Sequence, residues 1–196
     1  MSHTTIYFIR HCEPDKSKFD DEFNCPLTAK GQEDCAKVTG FLRDKDIDVI
    51  SSSPYVRTVE TVKPFAESVG LGIELVNDFR EWNIGRGWIN SAEEYRSFIK
   101  RHWDNFSHQE GASERLADIQ NRNIAALQKI LDKHSGKNIV IGAHGMALST
   151  IINHFDKAFG LEEFLSIAGL WPWIVRMDFD ENCSFVKWLA MPFGDK

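Results

Sequence analysis

The stretch TTIYFIRHCE (residues 4–13) determines how the rest of the chain is arranged. Residues 6–9 form an apolar, β-branched and aromatic run between polar neighbours, which is typical of a buried strand. This strand would deliver Arg10 and His11 at its carboxyl end, where open α/β sheets bind their ligands. Arginine matches phosphate oxygens with a planar fork of donors, and a neutral imidazole can attack phosphorus or hold a metal. For this dipeptide alone, two solvated polar residues are the alternative.

The length of 196 residues suits one domain with a sizeable core. The composition, 42% hydrophobic and 27% charged, is that of a globular protein. The net charge of -6 argues against a nucleic-acid binder that relies on broad basic patches, so a phosphate site must be positive locally. We find no signal-like start and no apolar run long enough for a membrane span, and we expect a cytoplasmic protein. The four cysteines form no CxxC pair, which predicts reduced thiols.

Strand and helix patterns alternate along the chain. The other strands are predicted at residues 47–52, 73–76, 139–143, 173–179 and 184–189, and the helices at about 29–44, 54–69, 91–108, 113–134 and 146–159. The alternation predicts a three-layer α/β/α sandwich whose central sheet is mainly parallel, with helices on both faces. We expect one domain over residues 1–196. Residues 77–89 show no clear period, and we expect a lid or insertion region at about 77–112.

Three residues predict helix boundaries. Thr28 is a plausible N-cap, although Gly31 at the third following position excludes a capping box. Ser53 followed by proline suits an N-cap with proline at the first helical position. Gly70 is well placed to end that helix.

Histidines end two strands that lie far apart in the sequence. His11 follows the first strand, and His144 with Gly145 follows the strand at 139–143. Arg57 lies in the first turn of the helix after the second strand, where free backbone N–H groups also favour anions. Each residue alone has an ordinary explanation as a satisfied or solvated polar group. Together at one sheet edge, two histidines and two arginines predict a site for a dianionic phosphoryl group.

The motifs that carry these residues resemble the histidine phosphatase superfamily, the phosphoglycerate-mutase-like proteins. The matching pieces occur in the family's order and are IRHCE (9–13), PLTAKG (26–31), SSPYVRTVET (52–61), FREWNIGRGW (79–88) and AHG (143–145). The resemblance implies that His11 is the nucleophile that becomes phosphorylated and that Glu81 donates a proton to the leaving group. It also implies that Arg10, Arg57 and His144 hold the phosphoryl oxygens. Gly145 belongs to the same substrate-binding set, and no cofactor or metal is implied.

The chain departs from the family pattern at two positions. Cys12 stands where glycine or alanine is usual, and we interpret it as a packing residue. Mutase-like members generally carry asparagine six positions after the nucleophile, where this chain has Ser17. Ser17 and Asn24 are therefore the candidates for a further contact to a phosphate oxygen. The missing asparagine also weakens the inference that this chain shares the substrate of the mutase-like members. Trp82 and Trp88 flank Glu81 and would either wall the leaving-group pocket or serve as packing.

These observations predict a metal-independent phosphatase that hydrolyses a small phosphomonoester through phosphohistidine, with no nucleic-acid or membrane partner. A phosphoglycerate mutase is the alternative among enzymes. A non-catalytic phosphate- or phosphopeptide-binding module is the alternative outside them. A metal site of His11, His144 and Cys12 would be a further possibility, but no local ligand motif supports it. The substrate and the oligomeric state stay open at this level.

Overall fold

The structure is a computed structural model that describes residues 3–17, 21–85 and 91–193. The strands are β1 (Thr4–Arg10), β2 (Val49–Ser52), β3 (Ile73–Leu75), β4 (Asn138–Ala143), β5 (Trp173–Phe179) and β6 (Phe185–Met191). The helices are α1 (Ala29–Leu42), α2 (Val56–Val69), α3 (Ala92–Asp104), α4 (Leu116–Lys133), α5 (Gly145–Phe155) and α6 (Leu161–Ile167), with a 3₁₀ helix at Asn77–Phe79.

The six strands form one sheet in the order β3-β2-β4-β1-β5-β6. The pairs β2 with β3, β2 with β4, and β1 with β4 are parallel, whereas β5 runs antiparallel to both β1 and β6. The predicted mainly parallel sheet is confirmed. Since β1 and β4 are adjacent and parallel, their carboxyl ends lie side by side.

Alternating side chains of β1 supply the two halves of the core. Ile6 and Phe8 belong to a cluster that includes residues of α4 and α5, while Tyr7 and Ile9 belong to a second cluster with residues of α1 and α2. Successive side chains of a strand point to opposite faces of the sheet, so the apolar run at 6–9 requires cover on both faces. The predicted three-layer sandwich is therefore confirmed.

The helix boundaries agree with the sequence signals in two cases and differ in one. The Thr28 hydroxyl accepts a hydrogen bond from the Gly31 N–H at 2.9 Å, as expected of an N-cap. Gly70 ends α2 with a φ of 70°, a left-handed conformation that glycine adopts without steric cost. The prediction of Ser53 as the N-cap of α2 is wrong, because the helix starts at Val56 and the N-cap position is Tyr55, without a side-chain cap.

The segment after β4 differs most from its predicted course. The helix expected over 146–159 ends at Phe155, and the unpredicted α6 follows. The Glu163 side chain accepts a hydrogen bond from the Gly160 N–H at 2.8 Å, which fixes the start of α6. This short helix has no long apolar period to indicate it. Among the described residues, no helix combines the length and the hydropathy that crossing a bilayer requires.

Candidate active site

The carboxyl ends of β1 and β4 bring the two histidines into contact. Arg10 lies opposite Ala143 in the parallel register, and the His11 N–H donates to the Ala143 carbonyl at 3.1 Å. The rings of His11 and His144 meet edge to face, with 5.5 Å between their centroids. Residues 133 positions apart thus share one site because their strands are neighbours in the sheet.

His11 is buried and held in one orientation. Its Nδ1 lies 2.7 Å from the carbonyl oxygen of Cys12, which can only accept, so Nδ1 carries the proton and Nε2 carries the lone pair. Burial lowers the pKa of His11 well below its usual value, and the nearby charges of Arg57 and Arg10 lower it further. The imidazole is therefore neutral at physiological pH, which is the form that a nucleophile needs.

His144 lies behind His11 and is fully buried. Its Nε2 is 2.8 Å from the hydroxyl of Ser53, and its Nδ1 has no hydrogen-bond partner among the described residues. Burial lowers the pKa of His144 well below its usual value, with smaller contributions from Arg57 and His11. His144 contacts His11 and is not part of the cavity wall described below.

Arg57 comes from the first turn of α2 and is held by the loop that precedes α1. Its Nη1 donates to the carbonyl oxygen of Glu22 at 2.5 Å, and its Nη2 lies 3.5 Å from the Glu22 carboxylate. The side chain is 4% exposed, whereas that of Glu22 is 34% exposed. A phosphoryl group that approaches Arg57 therefore competes with the Glu22 carboxylate, which already pairs with Arg57.

Arg10 is fixed by carbonyls at the end of α6 and in the residues directly after it. Its Nη1 donates to Ile167 at 2.7 Å and to Leu170 at 3.1 Å, and its Nη2 donates to Ala168 at 3.0 Å. Burial lowers the pKa of Arg10 to about 10, so the guanidinium remains charged near neutral pH. Its Nε has no partner among the described residues. The arginine thus supplies a positive charge of fixed position beside His11.

Glu81 sits at the N-terminus of α5. Its carboxylate accepts hydrogen bonds from the backbone N–H groups of Trp82 at 2.9 Å, Met146 at 3.1 Å and Ala147 at 2.9 Å. Free N–H groups at a helix start favour a negative group. These bonds orient Glu81 on the edge of the site.

Arg122 of α4 holds the Glu81 loop from the other side. It donates to the carbonyl oxygens of Asp78 and Arg80 at 2.8 Å and of Glu81 at 3.1 Å, and it pairs with Glu114 at 3.2 Å. Glu114 also accepts from the Asn83 N–H at 2.9 Å. Three carbonyls from one segment converge on one guanidinium, so Arg122 positions the loop without reaching the cavity itself.

A cavity of about 380 Å³ opens in front of His11. Of the predicted site residues, Arg10, His11, Arg57, Glu81 and Gly145 line it. A Cβ atom on Gly145 would lie 3.1 Å from Cζ of Arg10, so a side chain here would press on the arginine. The cavity therefore brings these five candidates together.

Ser17 and Asn24 lie outside this cavity wall. The Ser17 hydroxyl donates to Asp15 at 2.6 Å, and the Asn24 amide donates to Asp21 at 2.9 Å. Both residues are exposed, and each stabilises its own turn. Asn24 lines a separate surface groove, and among the described residues Glu22 is the one that this groove shares with the cavity. Ser17 and Asn24 thus do not join the other predicted site residues on the described cavity wall.

Cys12 faces the core and not the site. It is fully buried in the cluster with α1 and α2, where a hydrogen bond with Cys35 and burial raise the pKa of its thiol. All four cysteines are free thiols. In the described part of the chain, no three His, Cys, Asp or Glu side chains are grouped so that they could hold a metal ion.

The structure describes one of the two tryptophans predicted to wall the leaving-group pocket or to serve as packing. Trp82 lines the cavity, stacks on Phe98 at 5.2 Å and donates from its indole to the Glu114 carbonyl at 2.7 Å. Trp88 lies outside the described residues. The expected lid at about 77–112 contributes α3 to the cavity wall, and its role as a lid stays a prediction.

Sequence reasoning missed several residues of the cavity wall. Glu22, Lys16, Tyr95 and Trp171 all line it, yet none belongs to a motif near the predicted catalytic residues. The centroid of the Trp171 ring lies 5.2 Å from Cζ of Arg10 and 5.6 Å from Nζ of Lys16. Trp171 precedes Pro172 and belongs to none of the motifs that predict the site. The others depend on loop packing that no local pattern encodes.

Comparisons with known proteins identify the family of this chain. The family model of the histidine phosphatase superfamily (branch 1) matches residues 6–190. An uncharacterized phosphatase, PhoE of Bacillus subtilis, is 27% identical over 78% of this chain and 78% of its own length. A probable phosphoglycerate mutase, GpmB of Shigella dysenteriae, is 27% identical over 93% of this chain and 83% of its own length. The solved structure of YhfR from Bacillus stearothermophilus superposes with a TM-score of 0.76 and 25% identity, covering 93% of this chain and 94% of that one. The chain therefore belongs to the histidine phosphatase superfamily.

Proposed function

We propose that this protein is a phosphatase that hydrolyses a small phosphomonoester through a phosphohistidine at His11, without a metal. The observation that carries the proposal is the buried, neutral His11, whose Nδ1–H is held by the Cys12 carbonyl beside the charges of Arg10 and Arg57. This arrangement directs the Nε2 lone pair away from the backbone. An imidazole that cannot easily take a proton stays available to attack phosphorus.

In the first step, Nε2 of His11 forms a bond to phosphorus while the ester oxygen leaves. Negative charge on the phosphoryl oxygens is met by Arg10 and Arg57 and by the N-terminus of α5 at Gly145. Arg10 is well suited to this role because three carbonyls fix its position before the substrate arrives. His144 contacts the His11 ring edge to face without lining the cavity, and we assign it the support of the nucleophile.

The ester oxygen leaves poorly unless it receives a proton, and we assign this proton transfer to Glu81. In the second step a water molecule attacks phosphorus, the N–P bond breaks, and Glu81 takes the proton of that water. One residue can serve both steps because the leaving oxygen and the attacking water occupy the same side of phosphorus. Glu81 is positioned for this by α5 and by the loop that Arg122 holds.

Rapid quench with ³²P-labelled substrate tests the mechanism. We expect protein-bound label that is acid-labile and stable in base, and we expect neither label nor turnover in His11→Ala. Label that survives acid, or wild-type turnover in His11→Ala, would overturn the proposal. Phosphate binding without turnover in the wild-type protein would favour the non-catalytic module.

A phosphoglycerate mutase is the second candidate, because relatives with that printed name match most of the chain. A mutase would return the phosphoryl group to a sugar acid, and a phosphatase transfers it to water. We expect continuous release of inorganic phosphate from small phosphomonoesters. Efficient interconversion of 2- and 3-phosphoglycerate with little phosphate release would favour the mutase.

A further inference from the structure

We propose that the substrate is the phosphate ester of an apolar alcohol, aromatic or branched aliphatic, that carries no second anionic group. The inference rests on the proposed function, because it names the leaving group of the same reaction. It draws on the wall of the cavity beyond the phosphate-binding residues.

Apolar side chains from four parts of the chain form that wall. They are Trp82, Ile84, Tyr95, Ile99, Met146 and Phe164. Trp82, Ile99, Met146 and Phe164 are each at most 4% exposed, so the surface they offer is fixed by the core behind it. Burying apolar surface of a ligand against such a wall is favourable, whereas a charged group placed there loses its hydration without a partner.

The cations that line the described part of the cavity lie at its phosphoryl end. Arg10 and Arg57 flank His11, and Nζ of Lys16 lies 5.6 Å from the centroid of the Trp171 ring, which Cζ of Arg10 also faces at 5.2 Å. Burial lowers the pKa of Lys16, with a further contribution from Arg10. Of the arginines on the adjoining loop, Arg80 pairs with Glu114 at 3.2 Å.

The carboxylates of the cavity act against a second anion. Glu22 and Glu81 both line it, and the Glu22 carboxylate lies 3.5 Å from Nη2 of Arg57. A carboxylate or second phosphate on the leaving group would approach the Glu22 carboxylate, and such a pair of like charges disfavours binding. Within the described lining, the chemistry therefore selects an uncharged apolar body.

The volume of the cavity and the hydroxyl of Tyr95 also bear on the substrate. A cavity of about 380 Å³ has room for a phosphoryl group and one ring. The Tyr95 hydroxyl stays protonated near neutral pH, because burial raises the pKa of Tyr95 to about 12. The Tyr95 hydroxyl can therefore donate a hydrogen bond to a hydroxyl group of the ligand, although the wall as a whole favours hydrocarbon.

A panel of alkyl phosphates tests the inference on the wild-type protein. Benzyl phosphate, propyl phosphate and 3-phosphoglycerate all have alkoxide leaving groups, so kcat/KM differences between them report mainly on leaving-group binding. We expect kcat/KM for benzyl phosphate to exceed that for 3-phosphoglycerate by at least ~10-fold, with propyl phosphate between them. A preference for 3-phosphoglycerate, or equal values, overturns the inference. Absence of turnover with all three esters and with nitrophenyl phosphate would instead overturn the proposed function.

A charge placed on the wall gives a second, independent measurement. Ile84 is half-buried on the cavity, and Ile84→Lys should lower the benzyl-to-phosphoglycerate ratio of kcat/KM by at least ~10-fold. Val186→Lys is the matched control, since Val186 is 51% exposed on β6 and lies outside the cavity wall. The control should keep the wild-type ratio. An unchanged ratio in folded Ile84→Lys, with folding checked by thermal denaturation, overturns the inference.

Discussion

Replacing Glu81 with glutamine separates proton donation from support of the loop. Glutamine keeps the size of the side chain but cannot donate a carboxylic proton. For an alkyl ester such as benzyl phosphate, whose leaving oxygen needs that proton, we expect kcat to fall by about 10²–10⁴-fold. For nitrophenyl phosphate, whose phenolate leaves readily, we expect a loss of no more than ~10-fold.

The hydrogen bonds of Glu81 determine how much stability the protein loses in Glu81→Gln. Oε1 of Glu81 accepts from Trp82 and Ala147, and Oε2 accepts from Met146. The glutamine oxygen can replace one carboxylate oxygen, while its NH₂ group must face an N–H donor. An unsatisfied donor of this kind costs about 1–3 kcal/mol. In a chain of this size that lowers Tm by about 2–4 °C for each kcal/mol, which thermal denaturation would measure.

Glu114→Gln is the matched control for loop damage. Glu114 holds the same loop through Arg80, Arg122 and Asn83, but it does not line the main cavity. Its loss should lower turnover of both esters by similar factors. If Glu81→Gln also lowers turnover of both esters by the same factor, the acid role of Glu81 is refuted and only a structural role remains.

Three further predictions concern metal, charge and pH. Turnover should persist in excess chelator, because arginines and not a metal ion neutralise the charge on the phosphoryl group. Loss of turnover with chelator, and its recovery on addition of zinc or magnesium, would contradict this prediction. Glu22→Gln should lower KM several-fold, because it removes the carboxylate 3.5 Å from Arg57 that competes with the phosphate; a higher KM would show that Glu22 helps binding. The free energy of unfolding should fall as the pH drops below about 6.5, by about 1.4 kcal/mol per pH unit for each proton taken up. The sign follows because His11 and His144 have lowered pKa values in the folded protein and take up protons only on unfolding, so urea denaturation of His11→Gln should show a smaller slope.

The sequence by itself determined the layers of the fold and the position of His11 in it. The apolar run at 6–9 requires cover on both faces of a strand, and strands that alternate with helices then specify a mainly parallel sheet. The Thr28 cap and the Gly70 stop could be predicted because their hydrogen bonds join residues three or four positions apart. His11 and His144 could be placed at one edge because parallel strands end together.

Only the tertiary structure decided which groups surround His11. Arg10 is fixed by a carbonyl 157 positions away, Arg57 by Glu22 at a distance of 35 positions, and Glu81 by the start of α5. The sequence placed Ser17 and Asn24 among the phosphate ligands, whereas the structure has each of them bonded to an aspartate of its own turn. Periodicity and capping record interactions within a few residues. The partners of a buried charge depend on which distant segments the packed core brings beside it, and no local pattern contains that information.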